Sequence, residues 1–124
     1  MQPFNSVVVE GNLVKDPETR TTPNGHKLSL FTVAHNYYYK VDGEQTKGVN
    51  YFDIEVWNRT SEFAEEYLSK GTNVRIAGIL RQDRWNDKDG HVRSKIKIIG
   101  EHIEFRTLRT DKKVTNQSEF EVTF

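Results

Sequence analysis

Apolar and polar residues alternate with a period of two over most of the chain, and turn-forming residues break the pattern at short intervals. That is the signature of half-buried β-strands joined by tight connections. Val7, Val8, Val9 and Leu13 open a first strand, with Gly11 as a bulge or a point of close backbone approach. Asp16-Pro17 and Pro23-Asn24-Gly25 are turn chemistry. Residues 27–36 read as a second strand. A tyrosine-rich loop follows, closed by Asp42-Gly43 and ending near Gly48, and residues 49–57 form a third strand.

The period then changes for one short helix. Thr60 or Ser61 is placed to cap it, early glutamates complement its dipole, and Phe63, Ala64, Tyr67 and Leu68 make one apolar stripe. Lys70-Gly71 closes it with a charge and a C′ glycine. Residues 74–85 are a fourth strand, 86–90 a hairpin connection, and 92–105 a fifth strand bent at Gly100. Five strands with a helix between the third and fourth is the order of an all-β, OB-fold Greek-key barrel with extended hairpin loops. Residues 1–105 form this one domain, and 106–124 read as a short, polar, flexible tail.

Alternation also assigns faces. In the third strand Phe52, Ile54 and Val56 point to the core, and Tyr51, Asp53, Glu55 and Trp57 point away. In the fourth, Val74, Ile76 and Leu80 face in, while Arg75, Arg81 and Trp85 share the other side. In the fifth, Val92, Ile96 and Ile98 oppose Arg93, Lys95 and Lys97. Rings therefore stand among cations on the polar faces. A single nucleic acid strand exposes base faces and phosphates together. Flat rings stack on bases at about 1–3 kcal/mol each, and Lys or Arg neutralises phosphates. Trp57, Trp85 and Tyr51 fit the stacking part, and Tyr39 beside Lys40 is the choice from the loop 37–40. Against this stands a plainer role for any one ring, as packing at the barrel rim.

Composition changes the picture in one respect. The 124 residues carry 18 Lys+Arg and 18 Asp+Glu, so no basic excess marks a polyanion binder. The charges are segregated, however: from Gly71 to Ile99 there are seven basic residues against three acidic. Cysteine is absent, which excludes disulfides and thiolate metal sites and suits a reducing, intracellular setting. The start, Met1-Gln2-Pro3-Phe4-Asn5, lacks the basic-then-apolar run of a signal peptide, and no apolar stretch approaches the ~20 residues of a membrane span, so a soluble protein is expected. His26, His35, His91 and His102 are spaced singly, so no metal is expected. No phosphate loop, nucleophile elbow or zinc-protease motif occurs, so neither an enzyme nor a cofactor is expected. Glu62, Glu65 and Glu66 read as a solvated helix face rather than a metal-dependent nuclease site.

The runs Asn5-Ser6-Val7-Val8-Val9-Glu10-Gly11-Asn12-Leu13, Lys15-Asp16-Pro17-Glu18-Thr19-Arg20 and Thr22-Pro23-Asn24-Gly25 resemble the opening of bacterial single-stranded DNA-binding proteins. The resemblance continues through Glu65-Glu66-Tyr67-Leu68-Ser69-Lys70-Gly71, Gly78-Ile79-Leu80-Arg81 and Arg84-Trp85-Asn86-Asp87-Lys88-Asp89-Gly90, covering about residues 5–105. It implies a homotetrameric OB fold that wraps single-stranded DNA in replication, recombination and repair, in the cytoplasm at the bacterial nucleoid. It puts the stacking rings at Tyr39, Tyr51, Trp57 and Trp85, with tyrosine twice replacing the family's usual tryptophan. Phosphate contacts then fall to Lys40, Arg75, Arg81, Arg84, Arg93, Lys95 and Lys97.

Three departures bear on function. Asp53 stands where the family commonly has a basic residue, and Phe52 where it often has a histidine of the subunit interface. The tail is short and lacks the family's acidic, proline-containing tip. Phe124 with its carboxylate is the one piece left to recruit replication and repair proteins. The first strand (6–10) could pair with a second copy across a two-fold axis. The near-zero charge and Asp53 keep a second reading open: an OB-fold protein-interaction module of the replication machinery with weak DNA binding. RNA is a third possibility on the same platform. With acids on the face, stacking should carry more of the affinity than charge.

Overall fold

The β-branched and aromatic runs do form strands, and their pairing closes a ring. The computed structural model describes residues 3–106 and the backbone of residues 121–123. In chain order the elements are β1 (Val7–Leu13), β2 (Glu18–Thr21), β3 (Lys27–Val41), β4 (Glu44–Trp57), α1 (Asn58–Tyr67), β5 (Asn73–Asn86), β6 (Val92–Arg106) and β7 (Glu121–Thr123). The sheet order is β1-β5-β6-β4-β3-β2, and β1 pairs with β3 as well as with β5. Strands β1, β5, β6, β4 and β3 thus close on one another, with α1 between β4 and β5, as expected for an OB fold. The four-residue β2 lies on β3, between the two turn signals, where the sequence pattern marks no element.

Closure depends on two close approaches. At the end of β1, Asn12 pairs with Asn73 on β5 and also with Ala34 on β3. There Gly11 runs so near β3 that a Cβ atom would stand 2.4 Å from the Ala34 carbonyl oxygen. Across β5 and β6, Ala77 opposes His102 while Gly78 opposes Gly100, so Glu101 is an extra residue that bends the strand. A Cβ on Gly78 would fall 1.9 Å from the Ile99 carbonyl oxygen. On the far side, β4 and β6 meet in parallel over Ile54↔Ile98 and Glu55↔Ile99.

The core inside the ring is Leu13, Phe31, Val33, Ile54, Val56, Val74, Ile76, Ile98, Ile103 and Phe105, joined by Phe63, Ala64 and Leu68 from the helix side. Phe63 meets Phe105 edge-on at 5.6 Å, and Tyr67 stacks on Phe105 at 5.7 Å. Helix docking is also polar. Ser61 is fully buried and its Oγ lies 2.6 Å from Ser29 Oγ, which is itself 2.9 Å from Thr19 Oγ1. Ser61 is therefore an anchor and not a cap. Trp57 takes the N-cap position without a side-chain cap, and the first turn holds no acid. The glutamates begin one turn too late to meet the dipole. Leu68 leaves the helix in an extended conformation, and the positive φ of Gly71 (91°) serves the following turn instead.

Two long hairpins run past the ring. Strands β3 and β4 pair without a break as far as Val41↔Glu44, so the tyrosine run is strand, not loop. Asp42 (φ 52°) and Gly43 (φ 83°) form the two-residue turn, the conformation Asp-Gly favours in a hairpin. Strands β5 and β6 pair out to Asn86↔Val92. Here the expected inward residues are corrected: Leu80, Ile96 and Val92 are 45 %, 61 % and 70 % exposed. Their parity is that of the core strand, but the hairpin has left the core behind.

Beyond Arg106, the backbone of β7 pairs with β6 over Arg106↔Glu121, Phe105↔Val122 and Glu104↔Thr123. The rest of the expected tail, Phe124 included, lies outside the described residues. Gly11→Ala should lower stability by about 1–3 kcal/mol, the range of an overpacked site, because the obstacle is backbone that has no room to yield. Denaturant unfolding measures this, and an unchanged midpoint would show that β1 and β3 are not held together at this point.

Candidate nucleic-acid interface

Pairing register decides which side chains share a surface. On β3 and β4 one face carries Thr32, Ala34, Asn36, Tyr38 and Lys40 opposite Asp53, Tyr51, Val49, Lys47 and Gln45. Trp57 continues that face at the end of β4. On β5 and β6 the corresponding pairs are Arg81↔Lys97, Asp83↔Lys95 and Trp85↔Arg93. Because β6 lies beside β4, these two surfaces adjoin, and side chains tie them together. Lys95 Nζ lies 2.8 Å from Asp53 Oδ2, and Lys97 Nζ lies 2.6 Å from Glu55 Oε1 and 2.7 Å from Asp83 Oδ2. A cleft of about 440 Å³ opens at this junction, lined among others by Lys15, Thr32, Asp53, Glu55, Lys95 and Lys97.

Glu55 is the pivot. It is 8 % exposed, accepts a hydrogen bond from Trp57 Nε1 at 2.7 Å, and holds Lys97 with its other oxygen. A carboxylate this buried needs such partners, and in return it fixes the Trp57 ring and the Lys97 ammonium. Burial works against the charge of Lys97, but the hydrogen bonds and charges of Asp83 and Glu55 prevail and hold its pKa above the ordinary lysine value. Asp53 is held below the ordinary carboxylate value, chiefly by its hydrogen bond from Lys95 and then by one from Thr32, against a partial burial penalty. The Thr32 hydroxyl donates to Asp53 Oδ1 at 2.8 Å.

The sequence-derived residues divide accordingly. Tyr51 and Trp85 are 65 % and 48 % exposed, and Trp57 is half-buried. All three have the parity of the joined face. Tyr39 does not: it lies on the opposite face of the β3–β4 hairpin, stacked on Tyr37 at 5.8 Å, which stacks in turn on His35 at 6.3 Å. Tyr38, 61 % exposed, is the ring that shares the side of Tyr51 and Lys40. Sequence reasoning passed over it because the tyrosine run was read as loop. Counting outward from Asp42-Gly43 as a two-residue turn would have found it.

Among the cations, Arg81, Lys95, Lys97 and Arg93 lie on the joined face, and Arg84 points to the other side of its hairpin with Gln82 and Ile96. Arg75 is elsewhere. It bonds Glu10 on β1 at 2.6 Å and Glu104 on β6 at 3.1 Å, six residues or about 20 Å along the strand from Arg81. Arg93 is held by Asp87 at 2.9 Å. Arg81, Arg84 and Lys40 have no ion-pair partner among the described residues. One further departure concerns the histidines: His91 stands with Asp87 and Asp89, their ligand atoms within 4.8 Å of one another. Asp87 already accepts the backbone N–H groups of Asp89 and His91 and the guanidinium of Arg93, so these contacts order the hairpin turn.

With this geometry in place, comparison with known proteins is direct. The sequence profile described as the single-strand binding protein family matches residues 4–106. The chain belongs to that family. Relatives named single-stranded DNA-binding protein occur in Wolinella succinogenes (34 % identical over 119 residues, 95 % of this chain and 71 % of the relative) and in Treponema pallidum (38 % over 104 residues, 84 % and 58 %). One from Helicobacter hepaticus is 36 % identical over 102 residues, 82 % of this chain and 60 % of the relative. The chain thus spans from under three-fifths to about seven-tenths of the length of these relatives. A solved structure titled "Plasmodium falciparum SSB complex with ssDNA" superposes with a TM-score of 0.75 at 20 % identity, covering 82 % of this chain and 90 % of that one. That likeness establishes the fold shared by this member of the family. No helix among the described residues is long and apolar enough to cross a membrane.

The carboxylates of the junction set a pH dependence. A native Asp53 pKa below the ordinary 3.8 means that the unfolded chain takes up the proton more readily. The stabilisation is therefore complete above the unfolded value and is lost as pH falls through the lowered native one. Thermal melts should show the melting temperature of the wild type falling more steeply below pH 4 than that of Asp53→Asn. Parallel curves would mean that the Asp53–Lys95 pair contributes nothing to stability.

Proposed function

We propose that the protein binds single-stranded DNA with little regard to sequence, protecting and organising it without catalysis during replication, recombination and repair. The observation that carries this is the pair of exposed rings, Tyr51 and Trp85, on the face joined across β4 and β6, with Trp57 held beside them by Glu55. Exposed aromatic side chains on a sheet lose burial unless something covers them, and nucleobases are flat, plentiful covers of any sequence. The relatives named single-stranded DNA-binding protein, and the similar fold solved in complex with ssDNA, support the same ligand.

In this reading Tyr51, Trp57 and Trp85 each stack on a separate base along the strand, and Tyr39 takes a further base where the strand passes round the β3–β4 hairpin. Arg81 and Lys40 are the cations first available to phosphates, with Arg84 on the outer side of its hairpin. Lys95, Lys97 and Arg93 contribute only by leaving or sharing carboxylates, and Arg75 stands outside the track. The proposal includes assembly as a homotetramer, work at the nucleoid in the bacterial cytoplasm, and recruitment of replication and repair proteins through Phe124.

Titration with oligo(dT) should quench tryptophan emission, and Trp85→Ala should weaken binding by about 1–3 kcal/mol, or roughly 5- to 150-fold. Emission unchanged by poly(dT) at low salt would overturn the proposal in favour of a protein-interaction module. Light scattering on the free protein should give four times the chain mass; a monomer would remove the assembly from the proposal.

A further inference from the structure

Two kinds of acid–base contact meet on the joined face. The Glu55–Lys97 pair is nearly closed to solvent, with side chains 10 % and 19 % exposed, and it also supports Trp57. Asp83 adds an exposed carboxylate to that enclosed lysine. The Asp53–Lys95 pair is different: its side chains are 41 % and 57 % exposed, and Asp53 reaches from the surface onto the lysine. An exposed ion pair is worth little, so such a carboxylate contributes weakly to the fold. Its position is nonetheless specific, on a lysine that a phosphate would otherwise take.

We infer that Asp53 is an intramolecular competitor of the DNA backbone, occupying Lys95 and so setting how strongly and how salt-dependently the protein binds. This rests on the single-stranded DNA reading above and deepens it. When a free lysine meets a phosphate, a condensed counterion leaves the DNA, and log K falls with log salt by about 0.7 per contact on single strands. A lysine that leaves a carboxylate for the phosphate strands an acid, which gathers a cation of its own. Net ion release for that contact is then close to zero. Affinity from Lys95 is held down, and the salt dependence is carried by cations without such partners, Arg81 and Lys40 among them. The lowered pKa of Asp53 is consistent with a carboxylate already serving as the anion for Lys95.

The competition is tested with the full chain and oligo(dT) across a salt series. Asp53→Asn keeps the side-chain shape and a hydrogen-bond acceptor for Thr32. Glu66→Gln, an exposed position on α1 away from this face, changes the net charge by the same amount. Asp53→Asn should bind about three- to tenfold more tightly at low salt, and the slope should steepen by about 0.7. Glu66→Gln should leave the slope where it was, and so should Asp83→Asn, because Lys97 stays on the buried Glu55. Thermal melts run beside the titrations show whether each variant is folded, and Asp53→Ser gives a second reading if Asp53→Asn is not. If wild type binds and the folded Asp53 variant matches Glu66→Gln in affinity and slope, the competition is refuted while the DNA reading stands. If the wild type does not quench, the DNA reading itself fails.

Discussion

Strands β4 and β6 touch through only two backbone pairs, Ile54↔Ile98 and Glu55↔Ile99, and the rest of the molecule depends on this short parallel seam. It is where the ring closes on the side opposite β1. It also brings the outer face of one hairpin against the outer face of the other. A parallel pair this short contributes few hydrogen bonds of its own. Ile54 and Ile98 seal it from inside the core, and Glu55 with Lys97 seals it from outside. The same carboxylate orients Trp57, so closure of the ring and presentation of the joined face are one arrangement.

The two hairpins show how a strand pattern is put to a second use once it leaves the core. Along β5 and β6, inward parity is fulfilled by Val74, Ile76, Ile98 and Ile103 within the ring and merely continued by Leu80, Ile96 and Val92 beyond it. Along β3 and β4 the same continuation places His35, Tyr37 and Tyr39 in a stacked row, and Tyr38 on the reverse. Each hairpin therefore offers rings or apolar groups on both sides. Only the sides joined by Asp53–Lys95 and Glu55–Lys97 become one surface.

Charge on that surface is local and largely satisfied, which reconciles a zero net charge with the face proposed to take a polyanion. Asp53 looked from the sequence like a lost basic contact. In the structure it is the partner of Lys95, and the two belong to a network in which acids and bases were placed together. In the proposed binding mode the face therefore depends more on aromatic area than a basic groove would. The exposed Tyr51 and Trp85 supply that area where the cations are already engaged.

What the sequence determined by itself was strand identity, facing parity and chemistry. Alternation in 49–57 and 74–85, the helix stripe of Phe63 and Ala64, the Asp42-Gly43 turn and the close approach at Gly11 were all legible, because each follows from local geometry with a period or a single permitted residue. Burial, pairing and partners were not. Parity cannot say where the core ends, so Leu80 and Ile96 were placed inside. The tyrosine run lacks alternation, so its strand appeared only through its pairing with β4. Ser61 was readable as a cap until Ser29 was brought beside it. Asp53 and Glu55 gained their roles only when ring closure set β4 against the β5–β6 hairpin. Those contacts join residues far apart in the chain, and only the tertiary fold chooses which of them meet.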